Sequence, residues 1–340
     1  MGIYTRDGSD QRRICRLCVM PESPPQITLD ETGLCSLCVE HRHRRGRSED
    51  PKMLESDFTK LIARHRGKGE YDCLVMCSGG KDSTASLYYM VERYKLKPLA
   101  FMFDHGFEQD GAIENVKRAV DKLGVELLYY RSHHMHGMFR AITEGDFPAV
   151  LCHVCSIWYM DVALRMAARF RIPIIVAGWT RGQTAKSSGR NVAAVEPEYE
   201  KMGQATAEFL ATFKKTDERY ADFPSSMDEV LKKARKRHKS VIVSPHWFLP
   251  YDADTYVNTI QEKLGWQYPE QSYPGRSTNC ALNFLSVERS MKHHGYTHYH
   301  IEMSKMIREG LMTRDEAMDL LKVDFDRNEV QKVRDVLLGS

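Results

Sequence analysis

Nine cysteines, several of them in closely spaced pairs, are the residues of this sequence best suited to bind metal or carry sulfur. Two Cys-x-x-Cys pairs near the N-terminus, "CRLC" and "CSLC", are separated by sixteen residues. Two such pairs on opposing knuckles supply four thiolates in a tetrahedron, the geometry of a zinc site. Four protein ligands leave no position for water, so the spacing predicts structural Zn²⁺ that stabilises a segment too short to fold by hydrophobic burial alone. The expected ligands are Cys15, Cys18, Cys35 and Cys38.

The other cysteines require a separate interpretation. The first eleven residues are polar, and no apolar run approaches the roughly 18 residues that span a bilayer, so we expect a cytoplasmic protein without a membrane partner. In that reducing compartment cysteines serve as metal ligands, catalytic thiols or core residues rather than in disulfides. Cys73 and Cys77 fall in a predicted strand and are assigned to the core. Cys152 and Cys155, in "LCHVCSIWYM", could be core thiols, ligands of zinc or of an iron-sulfur cluster, or a redox pair.

A second chemical motif is the hexapeptide "SGGKDS", which follows a predicted buried strand. Its two glycines let backbone amides approach a phosphate closely, and the next helix points its positive end at the same place. The lysine adds a point charge. The spacing is not that of a Walker A loop. We therefore predict a phosphate-binding loop of a different type, formed by Ser78, Gly79, Gly80, Lys81, Asp82 and Ser83.

Strands that alternate with helices are expected to position this loop. Strands are predicted at 72–77, "PLAFMFDHG", "VELLYY" and "IPIIVAG", with helices starting near 82, at 111–123 and at about 156–170. This order predicts an α/β fold, a doubly wound parallel sheet with ligands at the carboxyl ends of its strands. A polar, charged stretch over 41–70 is expected to be a linker. The predicted domains are a zinc ribbon (1–48), the phosphate-loop domain (49–245) and a mainly helical C-terminal lobe (246–340).

Charge gives little further information about partners. The net charge of +3 is too small to indicate one. The basic clusters "EHRHRRGR" and "KKARKRHK" are interpreted as solvated faces rather than as phosphate contacts.

The hexapeptide resembles, at all six positions, the fingerprint of the PP-loop ATP pyrophosphatase superfamily. The resemblance implies that ATP is cleaved to AMP and pyrophosphate, that a substrate oxygen is adenylated, and that a nitrogen or sulfur nucleophile then replaces it. It also implies nucleotide contacts at Asp104 and His105 and at Gly178, which follow later strands. Many relatives carry a magnesium-binding Asp after that glycine. This chain has "WTRGQ" there, so Asp82 is the expected Mg²⁺ ligand.

The later cysteines resemble those of the tRNA 2-thiolation branch of the superfamily, in which a Cys-x-x-Cys pair and a third, distant Cys hold a [4Fe-4S] cluster. Cys280 in "GRSTNCALN" would be the third ligand beside Cys152 and Cys155. Three thiolates leave one iron open to bind hydrosulfide, and a Cys persulfide is the alternative carrier. The catalytic residues would then be these three cysteines with Lys81 and Asp82. A sulfur donor protein is implied, with a tRNA or a small molecule as substrate.

A second resemblance, carried by "CRLCVMPESPPQITLDETGLCSLC" and "IREGLMTRDEAMDLL", is to N-acetyl sugar amidotransferases, which take ammonia from a partner such as a glutaminase. That chemistry gives the later cysteines no role, so the thiols favour sulfur transfer. Three functions are therefore considered: an adenylating sulfurtransferase, an amidotransferase, and a non-catalytic nucleotide-binding module. A homodimer is the expected assembly.

Overall fold

The structure is a computed structural model. It describes residues 12–43, 51–183, 185–186, 193–194, 200–234, 236, 240–249, 253–275, 277, 280–322 and 327–339. Within these ranges, no helix combines the length and apolar character needed to cross a membrane.

A five-stranded parallel sheet lies at the centre of the chain, in the order β3-β2-β1-β4-β7. All four residues of β1 and all three of β4 are buried, as expected for strands covered on both faces by helices. The predicted α/β fold class is thus confirmed. The strands are β1 (Cys73–Met76), β2 (Pro98–Asp104), β3 (Glu126–Arg131), β4 (Ile174–Val176), a short antiparallel pair β5 (Ala185–Lys186) and β6 (Ala193–Ala194), and β7 (Val241–Val243).

Helices make up most of the remaining described chain, including its C-terminal part. They are α1 (Ser36–His43), α2 (Pro51–His65), α3 (Lys81–Tyr88, continued by a π-helical turn over Tyr89–Arg93), α4 (Asp110–Leu123), α5 (His134–Glu144), α6 (Leu151–Arg169), α7 (Glu200–Phe213), α8 (Met227–Lys233), α9 (Ala253–Leu264), α10 (Leu282–His294), α11 (His298–Arg308), α12 (Arg314–Leu320) and α13 (Arg327–Leu338). Short 3₁₀ turns cover Glu218–Tyr220 and Pro245–Trp247.

The strand order reverses between β1 and β4. From β1 the chain moves outward to β2 and β3, then returns to place β4 and β7 on the other side of β1. The pairing of Leu74 with Ile175 and of Val75 with Val176 fixes the register at this point. Segments that leave adjacent strands in opposite directions open a crevice at their carboxyl ends, where ligands of such sheets bind.

The expected linker over 41–70 is wrong for residues 51–65, which form α2. Leu54, Phe58 and Ile62 are buried at a spacing of four residues, which places them on one face of the helix. The Phe58 ring packs against Tyr94 and Phe248, with centroids 5.0 and 5.1 Å away. The sequence analysis missed this helix because many charged residues surround its narrow apolar face.

The predicted start of α6 near residue 156 is also wrong. The helix begins at Leu151, after an extended Val150, and buries Leu151, Val154 and Ile157. Cys152 and Cys155 therefore lie in the first turns of the helix rather than in a loop before it.

The N-terminal cysteine segment contains isolated bridges, among them Ser23 with Ile27 and Leu29 with Cys35. Helix α12 begins with a capping box, because the side chains of Thr313 and Glu316 each accept a hydrogen bond from the other residue's backbone amide.

Candidate active site at the carboxyl edge of the sheet

The phosphate loop, residues 78–83, is shaped by two close backbone approaches. Gly79 has a φ of +77°, and a Cβ there would lie 2.1 Å from the carbonyl oxygen of Ala112 in α4. A Cβ on Gly178, after β4, would lie 2.6 Å from the backbone nitrogen of Ser83. Only glycine fits either position, so the segments that follow β1 and β4 press directly against each other.

Hydroxyl groups hold the loop in a tight turn. Ser83 Oγ accepts the backbone N–H of Ser78 at 3.2 Å and lies 3.1 Å from Ser78 Oγ. Helix α3 begins directly after Gly80, and no side chain caps its first turn. Its first backbone amides and its positive end are therefore open to an anion, and phosphate binding by the loop remains a prediction.

Lys81 and Asp82 form a partly buried ion pair in this loop. The Lys81 Nζ lies 2.7 Å from Asp82 Oδ2 and 3.3 Å from the hydroxyl of Tyr256 in α9, which also donates to Asp82. Burial acts to raise the pKa of Asp82, but the charges of Lys81 and His246 and the hydrogen bonds hold it below its usual value. An ionised carboxylate suits Mg²⁺, whose preferred ligands are oxygens.

A second buried carboxylate, Glu302 of α11, was missed by the sequence reasoning. Its two oxygens accept hydrogen bonds from Thr180 Oγ1 at 2.8 Å and Gln183 Nε2 at 3.3 Å. Burial raises the pKa of Glu302, and the charge of Asp82 raises it further. Glu302 thus places a carboxylate against the turn after Gly178, where the resemblance implied a magnesium-binding Asp. It comes from a distant part of the chain, and no local motif marks it.

Asp104, at the end of β2, is buried and bonded to its own turn and to β3. It accepts the backbone N–H of Gly106 at 2.6 Å and the hydroxyl of Tyr129, and lies 3.3 Å from Arg131 Nη1. These contacts fix the turn that follows β2. A nucleotide contact by Asp104 remains a prediction.

The same turn holds Cys280 at the carboxyl edge. Cys280 forms an antiparallel bridge with Glu108, and the next backbone N–H, that of Ala281, donates to Phe107 O at 3.0 Å. The Cys280 Sγ lies 3.3 Å from His105 Nε2. A cysteine far along the sequence is therefore fixed beside the second strand of the sheet.

The Cys-x-x-Cys pair reaches this edge from the N-terminal end of α6, which runs antiparallel to β4. Burial acts to lower the pKa of His105 and the negative charges of Cys280 and Cys155 raise it, so Cys155 also lies near this ring. Cys152 Sγ lies 3.8 Å from Asn283 Oδ1 in α10. Burial raises the pKa of Cys152 to about 12, and the charges of Cys280 and Cys155 act in the same direction. The three half-buried thiols are therefore near enough for their charges to act on one another.

Tyr159 connects this region to the segment after β4. Trp179 Nε1, next to Gly178, donates to the Tyr159 hydroxyl at 3.3 Å. Burial raises the pKa of Tyr159 to about 12, and the charges of Cys155 and Cys152 contribute to that rise. The segment after β4 therefore contacts the phosphate loop through Gly178 and Tyr159 of α6 through Trp179.

The four N-terminal cysteines have the geometry of a site for one tetrahedral ion. Their sulfur atoms all lie within 4.8 Å of one another, with Cys15 and Cys38 3.8 Å apart and Cys18 and Cys35 3.6 Å apart. For a Zn–S bond of about 2.3 Å, the edge of the tetrahedron is about 3.8 Å. The backbone N–H of Cys35 also donates to Cys15 Sγ at 3.2 Å. The donor set therefore fits a structural ion.

The later cysteines are arranged more widely. Among the described residues, Cys152, Cys155 and Cys280 do not form a group whose sulfurs all lie within 4.8 Å of one another. Thiolates that bind different irons of a cluster stand farther apart than thiolates that share one ion. These three half-buried thiols are therefore spaced too widely to share one tetrahedral ion as the N-terminal four can.

Comparisons with known proteins give a partial likeness. No protein-family model matches the chain. An uncharacterised protein of Methanocaldococcus jannaschii is 23% identical over 320 residues, which cover 94% of this chain and 95% of that protein.

Solved structures that resemble the chain include the U34-tRNA thiolase NcsA from Methanococcus maripaludis with its [4Fe-4S] cluster, at a TM-score of 0.36 and 15% identity, covering 93% of this chain and 89% of that one. The NMN synthetase from Francisella tularensis has a TM-score of 0.32 and 14% identity, covering 73% of this chain and 94% of that one. The NH₃-dependent NAD synthetase from Campylobacter jejuni has a TM-score of 0.31 and 14% identity, covering 72% of this chain and 95% of that one. At these TM-scores, function has to be inferred from the residues of the chain itself.

We expect Cys35→Ser to reduce bound metal from about one ion per chain to almost none, because a tetrahedral site loses a quarter of its donors. Metal analysis measures the loss, and hydrogen exchange should show the N-terminal segment opening before the sheet. Cys77→Ser, at a buried cysteine outside the cluster, is the matched control and should keep the ion. Retention of stoichiometric metal by Cys35→Ser would contradict the site.

Proposed function

We propose that this chain is an adenylating sulfurtransferase, which cleaves ATP to AMP and pyrophosphate and replaces a substrate carbonyl oxygen with sulfur. One observation carries the proposal. Cys280 lies 3.3 Å from His105 Nε2, the charge of Cys155 acts on the same ring, and His105 follows β2 at the carboxyl edge just as the phosphate loop follows β1. Ammonia transfer would need no thiol there, so the arrangement supports sulfur rather than nitrogen as the incoming atom.

The phosphate loop would bind the pyrophosphate part of ATP. The first amides of α3 donate to phosphate oxygens, and the helix end stabilises their charge. Asp82 is the proposed ligand for Mg²⁺. An ion on Asp82 would take over the role of the Lys81 ammonium, which now lies 2.7 Å from the carboxylate, and would free it for a phosphate oxygen.

Two contacts from the C-terminal part of the chain hold the loop for this task. Trp266 Nε1 donates to the Gly79 carbonyl at 2.8 Å, and Tyr256 bonds both Lys81 and Asp82. These groups fix the loop and cover it from water. A dry, fixed loop strengthens its electrostatic contacts with the nucleotide.

Cys152, Cys155 and Cys280 are the residues proposed to hold a [4Fe-4S] cluster. When bound, the cluster supplies an iron without a protein ligand, which binds hydrosulfide. The protein positions these thiols at one edge and excludes water around them through burial. A persulfide on one of the cysteines would use the same arrangement. The N-terminal four cysteines are proposed to bind Zn²⁺ in a structural role.

Adenylation makes the replacement feasible because AMP leaves far more readily than an oxide. The acceptor is a carbonyl compound, and the two classes to be assayed are tRNA and nucleotide sugars. Sulfur would come from a donor protein in the cell and from sulfide in the assay.

We expect Asp82→Asn and Ser83→Ala each to lower ATP-dependent pyrophosphate release by on the order of 10²–10³, the scale of losing one preorganised electrostatic contact. Pyrophosphate and AMP are measured together in the presence of an acceptor. Asp121→Asn, an exposed carboxylate on α4, is the control and should keep the wild-type rate. Formation of ADP and phosphate by the wild type would contradict the pyrophosphatase chemistry.

We expect Cys280→Ala to abolish sulfur incorporation while ATP is still bound, because the thiol acts on sulfur and not on the nucleotide. Mass spectrometry of the acceptor after anaerobic reaction with ATP and sulfide gives the product, and nucleotide binding is measured by calorimetry. Cys73→Ala, at a core thiol, should still thiolate.

Normal thiolation by Cys280→Ala would remove that residue from the mechanism. Incorporation of nitrogen from ammonia by the wild type, without sulfur, would replace the proposal with the amidotransferase.

A further inference from the structure

His105 is a buried side chain at the thiol centre with an unusually complete set of contacts. Its Nδ1 accepts the backbone N–H of Phe107 at 3.2 Å. Its Nε2 lies 3.3 Å from Cys280 Sγ and 3.1 Å from Glu108 Oε1. Both ring nitrogens are therefore engaged, one with a fixed donor and the other with a sulfur and a carboxylate.

The Phe107 contact sets the tautomer of the ring. A backbone amide can only donate, so Nδ1 must present its lone pair to it. The neutral imidazole then carries its hydrogen on Nε2. The Nε2–H points between the Cys280 sulfur and the Glu108 carboxylate, and both can accept it.

His105, Glu108 and Cys280 could also bind a metal ion, because their potential ligand atoms lie within 4.8 Å of one another. The tautomer decides whether His105 acts as a metal ligand or as a hydrogen-bond donor. A metal on Nε2 would need the lone pair there and the hydrogen on Nδ1. The amide hydrogen of Phe107 already points at Nδ1. The geometry therefore favours His105 Nε2 as a hydrogen-bond donor rather than as a metal ligand.

The charges around the ring do not change this donor. Burial acts to lower the pKa of His105, but negative charge on Cys280, Cys155 and Glu108 raises it well above its usual value. The neutral ring set by Phe107 and the doubly protonated ring both carry a hydrogen on Nε2.

We propose that His105 is a positioning residue of the thiol centre, which donates its Nε2–H to the sulfur of Cys280 while Phe107 and Glu108 fix the ring. This inference rests on the proposed function. Hydrogen bonds to the sulfurs of a cluster stabilise its more negative, reduced state and so raise its reduction potential. His105 would therefore tune the centre as well as orient Cys280.

The first test concerns the hydrogen on Nε2 and needs no cluster. Nitrogen-15 NMR of the full chain, labelled at histidine and kept reduced without added iron, should show one ring with a hydrogen held on Nε2. The assignment to His105 follows from its loss in His105→Leu. An Nε2 of His105 without a hydrogen would overturn the proposal.

The second test measures the reduction potential after anaerobic loading with ferrous iron and sulfide. His105→Leu removes the donor and should lower the potential, whereas His105→Gln keeps a terminal N–H and should stay near the wild type. His133→Leu, an exposed histidine at the start of α5, is the control. An unchanged potential in His105→Leu would overturn the N–H···S bond.

Failure of the wild type to take up iron would contradict the cluster in the proposed function. The NMR result would still decide whether His105 holds a hydrogen on Nε2, so the two failures are distinguishable.

Discussion

The candidate site depends on the packing of α11, which lies between the four-cysteine segment and the phosphate-loop region. On one side, Ile301 is buried with the N-terminal cysteines, and Ser304 Oγ accepts the backbone N–H of Val19 at 3.4 Å. On the other side, Glu302 is bonded to the turn after β4. That approach requires Gly182, because a Cβ there would lie 2.7 Å from the Glu302 carbonyl oxygen. Helix α11 therefore contacts both the four-cysteine segment and the turn after β4, and fixes the one relative to the other.

Through this arrangement, an ion bound by the four N-terminal cysteines would stabilise the surroundings of the candidate site without touching it. Structural zinc contributes about 10–16 kcal/mol to the folding of small zinc segments. Arg314 Nε reaches the carbonyl oxygens of Cys15 and Cys18 at 3.3 and 3.1 Å, so α12 is attached to the same segment. Cys152 packs against the same cluster. Without an ion, both the helix that carries Glu302 and the surroundings of Cys152 would thus be less firmly held.

Structural features that depend on a short stretch of sequence could be predicted. Features that form when distant parts of the chain come together could not. The alternation of strands and helices, the Gly-Gly turn and the spacing of the four N-terminal cysteines each arise from local geometry. Helix α2 was missed because its three apolar residues stand in a highly charged stretch. Helix α6 was predicted, but its start was placed near residue 156, after the Cys-x-x-Cys pair. Glu302 and Glu108 gave no signal, since a lone glutamate becomes a site residue only when the fold buries it.

The two sets of cysteines differ in their surroundings as well as in their spacing. The N-terminal set comes from one short segment and surrounds a single point. The later set joins the start of α6 to a residue held beside β2, so it forms only when the sheet and the C-terminal part of the chain have assembled. This dependence suits a reactive centre, because sulfur would be presented only where the nucleotide also binds.

Anomalous diffraction at the iron and zinc absorption edges, from crystals grown without oxygen, tests this account most directly. The account predicts iron enclosed by Cys152, Cys155 and Cys280 and zinc among Cys15, Cys18, Cys35 and Cys38. Zinc in both places, or iron only in the N-terminal set, would contradict it.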